Sequence, residues 1–248
     1  MPKISIITVV YNGEGVLQPT VESVIDQDYK DYEYLIIDGK STDSTLDIIS
    51  KFEAGITSYI SEPDQGVYDA MNKGLELASG QYILFLNAGD ELASPSTLAS
   101  LFDHEQKPDL IYGETLIMNP EKRVIGTRTQ LTSRKLPTHL TKNDFLNGQV
   151  VSHQSFIPRL ELCPKYDLRY QCSSDIDWML KIVDQCQSIV KSDQPISKYL
   201  QGGISDVQLK TCWKERFIIL LRHFSYWKVC LVHIKFIWRF LLIGAYKK

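Results

Sequence analysis

The stretch YILFLNAGDEL (82–92) runs an apolar segment into Asn87, Ala88, Gly89, Asp90 and Glu91. Two carboxylates at the mouth of a buried strand carry a solvation cost unless something binds them. Hard oxygen ligands of this kind suit Mg2+ or Mn2+, which in turn bridge the oxygens of a diphosphate. A second acidic pair, Asp175 and Asp177, stands in SSDIDWMLK (173–181). Acid in the first turn of a helix also complements the helix dipole, so this pair reads equally as structural. Further polar clusters are Tyr11-Asn12-Gly13, Asp38-Gly39 and Glu62-Pro63-Asp64-Gln65-Gly66.

The elements between these clusters decide whether they meet. ISIITVV (4–10) is rich in β-branched residues and predicts a buried strand. Val16, Leu17, Val21, Val24 and Ile25 fall on one face of a helix over 15–27. YLIID (34–38) is a second strand, followed by a helix over 41–52 with Leu46, Ile49 and Phe52 at steps of three. SYIS (58–61) is a third strand, and 67–78 a helix with Val67, Ala70, Met71, Leu75 and Ala78 on one side. YILFLN (82–87) and LIYGET (110–115) complete the strands. Such alternation predicts an α/β fold, a mostly parallel sheet flanked by helices. In these sheets ligands sit outside the carboxyl ends of the strands, where Asn87–Glu91 and the three clusters after the first three strands would gather.

The site is not a dinucleotide site of the usual kind. No G-x-G-x-x-G follows the first strand, and there is no G-x-x-x-x-G-K-[ST]. Residues 116–145 read as a polar excursion, and 148–159 as a strand interrupted by His153-Gln154-Ser155. Ser173 or Ser174 would cap a helix carrying Ile176, Met179, Leu180 and Val183 inward. Gly202 and Gly203 suit a tight turn or close backbone approach.

Charge divides the 248 residues unevenly. Residues 1–209 hold 18 Lys and Arg against 29 Asp and Glu, whereas 210–248 hold 9 against one, Glu215. An acidic body with a basic end points to an anionic partner for that end. Five cysteines, an odd number without C-x-x-C, argue against a disulfide framework or a structural zinc site and fit a reducing compartment. The first ten residues lack a long apolar region and a cleavage site, so no signal peptide is expected.

Taken in order, ISIITVVYN, YLIIDGKSTDST, the run from Ser61 to Leu92, SHQSF (152–156), SSDIDWMLK and GGISD (202–206) resemble the family-2 glycosyltransferases of the GT-A fold. The resemblance covers roughly residues 3–206, and 61–92 is its most specific part. Among subgroups it is similar to bacterial transferases that build polysaccharides on a lipid carrier, of the colanic-acid type. It implies a domain over 1–209, with 1–115 binding the nucleotide sugar and 116–209 facing the acceptor. It implies inverting transfer from a nucleotide diphosphate sugar to an acceptor hydroxyl, probed by the chemistry of these residues. Asp90 stands where the family's D-x-D-like motif holds a divalent cation, with Glu91 as a weaker helper. Thr8, Tyr11, Asn12, Asp38, Asp64, Gln65, Asn87 and Gly89 would line the donor. Asp175 matches the position of the general base, with Ser174 where the family often has Glu. Asp177 is the runner-up; His153, Gly202 and Gly203 would sit near the diphosphate or acceptor.

Two other readings stay open. One is a non-catalytic binder of sugar nucleotide or partner that keeps the fold; the reduced Asn87–Asp90 motif is its support. The other is a nucleotidyltransferase, which would want a basic Gly-rich loop after the first strand, and YNGEGVLQPT (11–20) has no basic residue. In the tail, charges break every apolar run before the roughly 18 residues a spanning helix needs. Its mixture of Trp, Phe, Lys and Arg predicts amphipathic helices lying on anionic lipid, or else covering the catalytic domain. The expected place is the cytoplasm, peripheral on the inner face of the cell membrane, with a lipid-linked saccharide as acceptor and no nucleic acid.

Overall fold

β-branched and aromatic residues that alternate between two apolar faces need cover on both. In the computed structural model, which describes residues 2–102, 107–202 and 209–243, they receive it. Strands β1 (Ile4–Val10), β2 (Tyr32–Asp38), β3 (Ser58–Ser61) and β4 (Tyr82–Phe85) form a parallel sheet in the order β3-β2-β1-β4. Helices α1 (Leu17–Ile25), α2 (Thr45–Lys51) and α3 (Val67–Leu77) make the crossovers. Ile4, Ile6, Tyr34, Ile36, Tyr82 and Leu84 pack in one core with Leu17, Val21 and Val24 of α1. Ile7, Val9, Leu35, Ile37, Ile83 and Phe85 pack in the other with Ala70 and Met71 of α3. Burying each such side chain is worth roughly 1.5–3 kcal/mol, so the sheet holds while its loops stay free for chemistry.

The second half is built from short pieces: β5 (Glu91–Leu92), α4 (Thr97–Phe102), β6 (Leu110–Tyr112), β7 (Thr115–Met118), β8 (Val124–Thr127), α5 (Arg128–Leu131), β9 (Phe156–Pro158), α6 (Ser174–Val183), β10 (Ile189–Lys191) and β11 (Ser197–Leu200). They form two mixed sheets, β10-β6-β9 and β5-β11-β7-β8. The single strand expected over 110–115 is two strands in different sheets, β6 and β7, with Gly113 between them. Residues 116–145 are a hairpin, the short α5 and turns rather than an unstructured excursion. Leu46, expected inward on α2, is exposed; Thr45 and Ile49 are the buried residues. Glu91 begins a strand, not a helix, and pairs with Lys198 across β5 and β11.

An aromatic stack ties α6 to the sheet. Tyr166 lies on Trp178 with ring centroids 4.9 Å apart and on Tyr68 at 5.4 Å, and Phe85 meets Tyr166 and Trp178 edge-on. Ser173 precedes α6, but its hydroxyl donates to the Cys212 carbonyl at 3.3 Å instead of capping that helix.

The tail begins with α7 (Leu209–His223) and α8 (Tyr226–Ile243). α7 packs on the body: Cys212, Glu215, Ile219 and Leu220 are buried. Glu215 accepts the backbone N–H groups of Gln171 (2.8 Å) and Cys172 (3.0 Å), just ahead of α6. Cys172 and Cys212 are joined in a disulfide, against the expectation drawn from the odd cysteine count; helix packing brings together two cysteines 40 residues apart in sequence. Asp177 is buried between His223 (2.8 Å) and Lys181 (2.6 Å). Burial pushes its carboxyl up, but the hydrogen bonds with His223 and Lys181 and the Lys181 charge hold it below the usual range. Asp177→Ala leaves His223 and Lys181 without their shared acceptor at the α6–α7 seam. It is expected to cost about 3–5 kcal/mol in urea denaturation at pH 7, because one partner of a buried pair is lost.

Candidate active site

The carboxyl ends of β1 and β4 open into a cavity of about 720 Å³. Of the residues singled out from the sequence, Asn87, Asp90, His153, Asp175 and Gly202 line it. Gly203 lies outside the described residues. The sequence did not single out Gln149, Gln154, Arg128 or Arg216, which also line the cavity.

One short turn organises the polar wall. Residues His153–Ser155 form a 3-10 turn ahead of β9. His153 Nδ1 lies 3.7 Å from an Asp175 oxygen, and Nε2 is 3.3 Å from the Asn87 amide nitrogen. With the proton on Nδ1, Nε2 accepts from that amide. Asn87 Oδ1 is then buried with no hydrogen-bond partner among the described residues. Gln154 donates to Asp90 at 2.7 Å, and the Leu200 N–H donates to the other Asp90 oxygen at 3.1 Å. Ser155 is fully buried and bonds the hydroxyls of Thr115 and Ser197, each at 2.7 Å.

The two acids meet opposite electrostatics. Burial raises the Asp90 carboxyl to about 6, against the pull of the Gln154 amide, His153 and the Leu200 N–H. Burial raises Asp175 as well, but the imidazole of His153, the charge of Arg216 and the Ile176 N–H outweigh it. Asp175 therefore sits below the usual aspartate value. Gln149 donates to Asp175 at 3.0 Å and the Tyr68 hydroxyl at 3.3 Å. Asp177 stands two residues on, roughly 200° around the helix, and faces α7. Its partners are Lys181 and His223, and it does not line the cavity.

The remaining donor-side residues lie at the adjoining strand ends. Thr8 leaves the binding set: it is wholly buried, donating to the Leu86 carbonyl at 2.7 Å and bonding the Tyr34 hydroxyl. Asp38 is also wholly buried, accepting from the Ser41 N–H and hydroxyl and from the Ser61 hydroxyl at 2.6 Å. It braces the loop after β2 rather than presenting a free acceptor to a base. Asn12 accepts from the Thr42 N–H at 2.9 Å, which ties the first two loops together. Tyr11 is exposed, and Asp64 closes toward it over Gly39, where a Cβ would stand 2.4 Å from the Asp64 carboxylate. The Gln65 side chain is exposed; its N–H donates to Asp69 at 3.0 Å. Gly89, at φ +100, donates its N–H to Thr20 at 2.9 Å and aims the chain so that Asp90 turns inward. Glu91 is spent on Lys198 at 2.9 Å.

Among the described residues no cluster of three His, Cys, Asp or Glu side chains could hold a metal alone. Asn87 Oδ1 and the Asp90 carboxylate are hard oxygen donors on one wall, and they fit a divalent cation whose other ligands come from a nucleotide or water.

Residues 5–163 match the family model described as Glycosyl transferase family 2. The chain belongs to glycosyltransferase family 2. A relative from Mycobacterium bovis (strain BCG / Pasteur 1173P2), a PGL/p-HBAD biosynthesis glycosyltransferase, is 34% identical over 189 residues, 73% of this chain and 69% of that protein. The crystal structure of S. aureus TarS 1–349 in complex with UDP-GlcNAc shares the GT-A fold. Its TM-score is 0.66 at 18% identity, over 97% of this chain and 73% of that one. So does mannosyltransferase PcManGT from Pyrobaculum calidifontis in complex with GDP-Man and Mn2+, with a TM-score of 0.68 at 14% identity, over 90% and 65%.

In this family-2 transferase, Gln154→Ala leaves the buried Asp90 with one donor. A hydrogen bond to a charged group is worth about 1.5–3 kcal/mol, and urea denaturation at pH 7 is expected to show a loss of that size.

Proposed function

We propose that this protein is an inverting glycosyltransferase. It moves a sugar from a nucleoside diphosphate sugar to a hydroxyl of a lipid-linked saccharide, in the synthesis of a cell-surface polysaccharide. The observation that carries the reading is one cavity shared by an oxygen-donor pair, Asn87 and Asp90, and an ionised base, Asp175, linked through His153 and Gln154. Asp175 takes the proton of the acceptor hydroxyl, whose oxygen attacks the anomeric carbon. The bond from that carbon to the diphosphate oxygen breaks on the opposite face. Asn87 and Asp90 would hold the divalent cation, Mg2+ or Mn2+, which when bound neutralises the charge gathering on the leaving diphosphate. Tyr11 offers its exposed ring to the base and Asp64 a carboxylate beside it. The solved relatives holding UDP-GlcNAc, or GDP-Man with Mn2+, support a donor of this class.

Calorimetry with UDP and GDP, each with and without Mn2+, tests the binding half. One nucleotide is expected to bind in a Mn2+-dependent way, and Asp90→Ala to lose that dependence. If neither binds a folded protein, the reading falls. For the chemical half, Asp175→Asn is expected to lose about 10²–10⁴-fold in turnover with nucleotide binding retained. His153→Gln removes a group that holds Asp175 low. The acid limb of kcat/KM against pH is then expected to move upward relative to wild type.

The tail supports a membrane-surface role. No described helix is long and apolar enough to cross a membrane. Trp213, Tyr226, Trp227, Leu231 and Ile234 are exposed, together with Lys210, Lys214 and Lys228. Buried rings and lipid-facing cations suit the headgroup layer. We place the enzyme on the inner face of the cell membrane, in the cytoplasm. If the Cys172–Cys212 bond is reduced there, Glu215 and His223 still hold α7. The full chain is expected to sediment with vesicles containing anionic lipid, and the Trp213→Ala/Trp227→Ala double variant to sediment several-fold less. Equal sedimentation would refute the surface role.

A further inference from the structure

The cavity wall includes two guanidinium groups that the reaction above does not use, Arg128 of α5 and Arg216 of α7. Arg128 donates through Nη1 to the Val150 carbonyl at 2.8 Å and through Nη2 to that of Gln149. It is thus fixed to the segment that supplies a donor to Asp175. Arg216 differs: its Nε is buried and has no hydrogen-bond partner among the described residues. A buried cationic N–H without an acceptor is costly, and a second cation nearby adds to the cost. Arg134 and Arg216 both press on Arg128, beyond what burial does, and Glu114 opposes them. Such an arrangement is relieved by an oxyanion, which the planar fork of an arginine fits.

Glycosyl transfer as proposed above offers two places for an oxyanion, the donor diphosphate and the acceptor. The position of Arg216 separates them. Glu215, its neighbour on α7, accepts the N–H groups of Gln171 and Cys172 just ahead of Asp175, and the Arg216 charge acts on that acid, whereas Asp90 is held by Gln154 and the Leu200 N–H. In an inverting displacement the base and the leaving diphosphate lie on opposite faces of the sugar. A cation beside the base therefore meets the acceptor.

We propose that Arg216, with Arg128 near it, binds an oxyanion carried by the acceptor, a phosphate or a carboxylate close to the attacking hydroxyl. α7 is then an acceptor-binding element, joining the cavity on one side to the exposed Trp213 and Lys214 on another. This inference rests on the transfer reading.

The test is calorimetry on the full chain, saturated with Mn2+ and whichever of UDP or GDP binds. The probes are glucose 1-phosphate, glucuronate and glucose. At least one charged probe is expected to bind while glucose does not, and which one binds separates a phosphate from a carboxylate. Arg216→Gln is expected to weaken that probe about tenfold or more with nucleotide binding within about twofold of wild type, and Arg216→Lys to fall between. Retained nucleotide binding also reports that each variant is folded. Charged probes that bind no better than glucose, or that displace the nucleotide, overturn the inference while the transfer reading stands. So does an Arg216→Gln variant that weakens nucleotide and probe alike. If wild type binds neither nucleotide, the transfer reading has failed and this inference falls with it.

Discussion

The hydrogen bond from Gln154 to Asp90, 2.7 Å long and buried, fixes the distance between the two halves of this site. Its neighbours in the same turn do the rest. His153 touches Asn87 on the strand-four side and Asp175 on α6, and Ser155 anchors the turn to β7 and β11 through two hydroxyls. Side chains held this way lose their rotamer freedom when the protein folds, not when substrate arrives. The aromatic stack beneath, with Trp178 and Tyr166 in face contact, gives α6 a rigid bed.

Two buried aspartates differ because their surroundings differ. Asp90 has an amide and a backbone N–H, and burial wins. Asp175 has the His153 imidazole beside it and the charge of Arg216 acting on it, and burial loses. Environments that push two carboxyls apart assign them different work. An acid held low at Asp175 and one raised at Asp90 fit the roles proposed for them, proton acceptor and cation ligand. Elsewhere the fold buries Glu33 against Ser5, Ser79 and Gly80, where four donors hold it charged without any ligand.

The first half was legible because its leading elements are long. Seven-residue strands and helices of nine and eleven residues leave clear periodicity, and their polar ends fall where a parallel sheet puts ligands. The second half was not legible. Its strands of two to four residues, unlike β3 and β4, are not set in a regular alternation with periodic helices, and β11 owes its place to partners far away in sequence. Asp38 and Thr8 illustrate a different failure. A polar residue at a strand end reads the same whether its partner is a ligand or Ser61. Asp175 and Asp177 could be told apart as facing different ways, but which way was inward depended on α7. Arg216 was read as part of a basic tail because only packing reveals that α7 turns it toward the cavity.

The long reach of these bonds also governs when the enzyme can exist. Tyr68 and Asp175 are 107 residues apart, Asp90 and Leu200 are 110, and Gln171 and Glu215 are 44. Contacts so distant along the chain cannot form until both ends are present, and the entropy of closing such loops falls on the late steps of folding. On the ribosome, the four-stranded sheet has all its strands by residue 85. The wall that carries the base and the guanidinium of α7 must wait for more than a hundred further residues. A nascent chain thus holds all the strands of the first sheet well before the rest of the cavity wall exists, and synthesis itself sets the order in which the site is assembled.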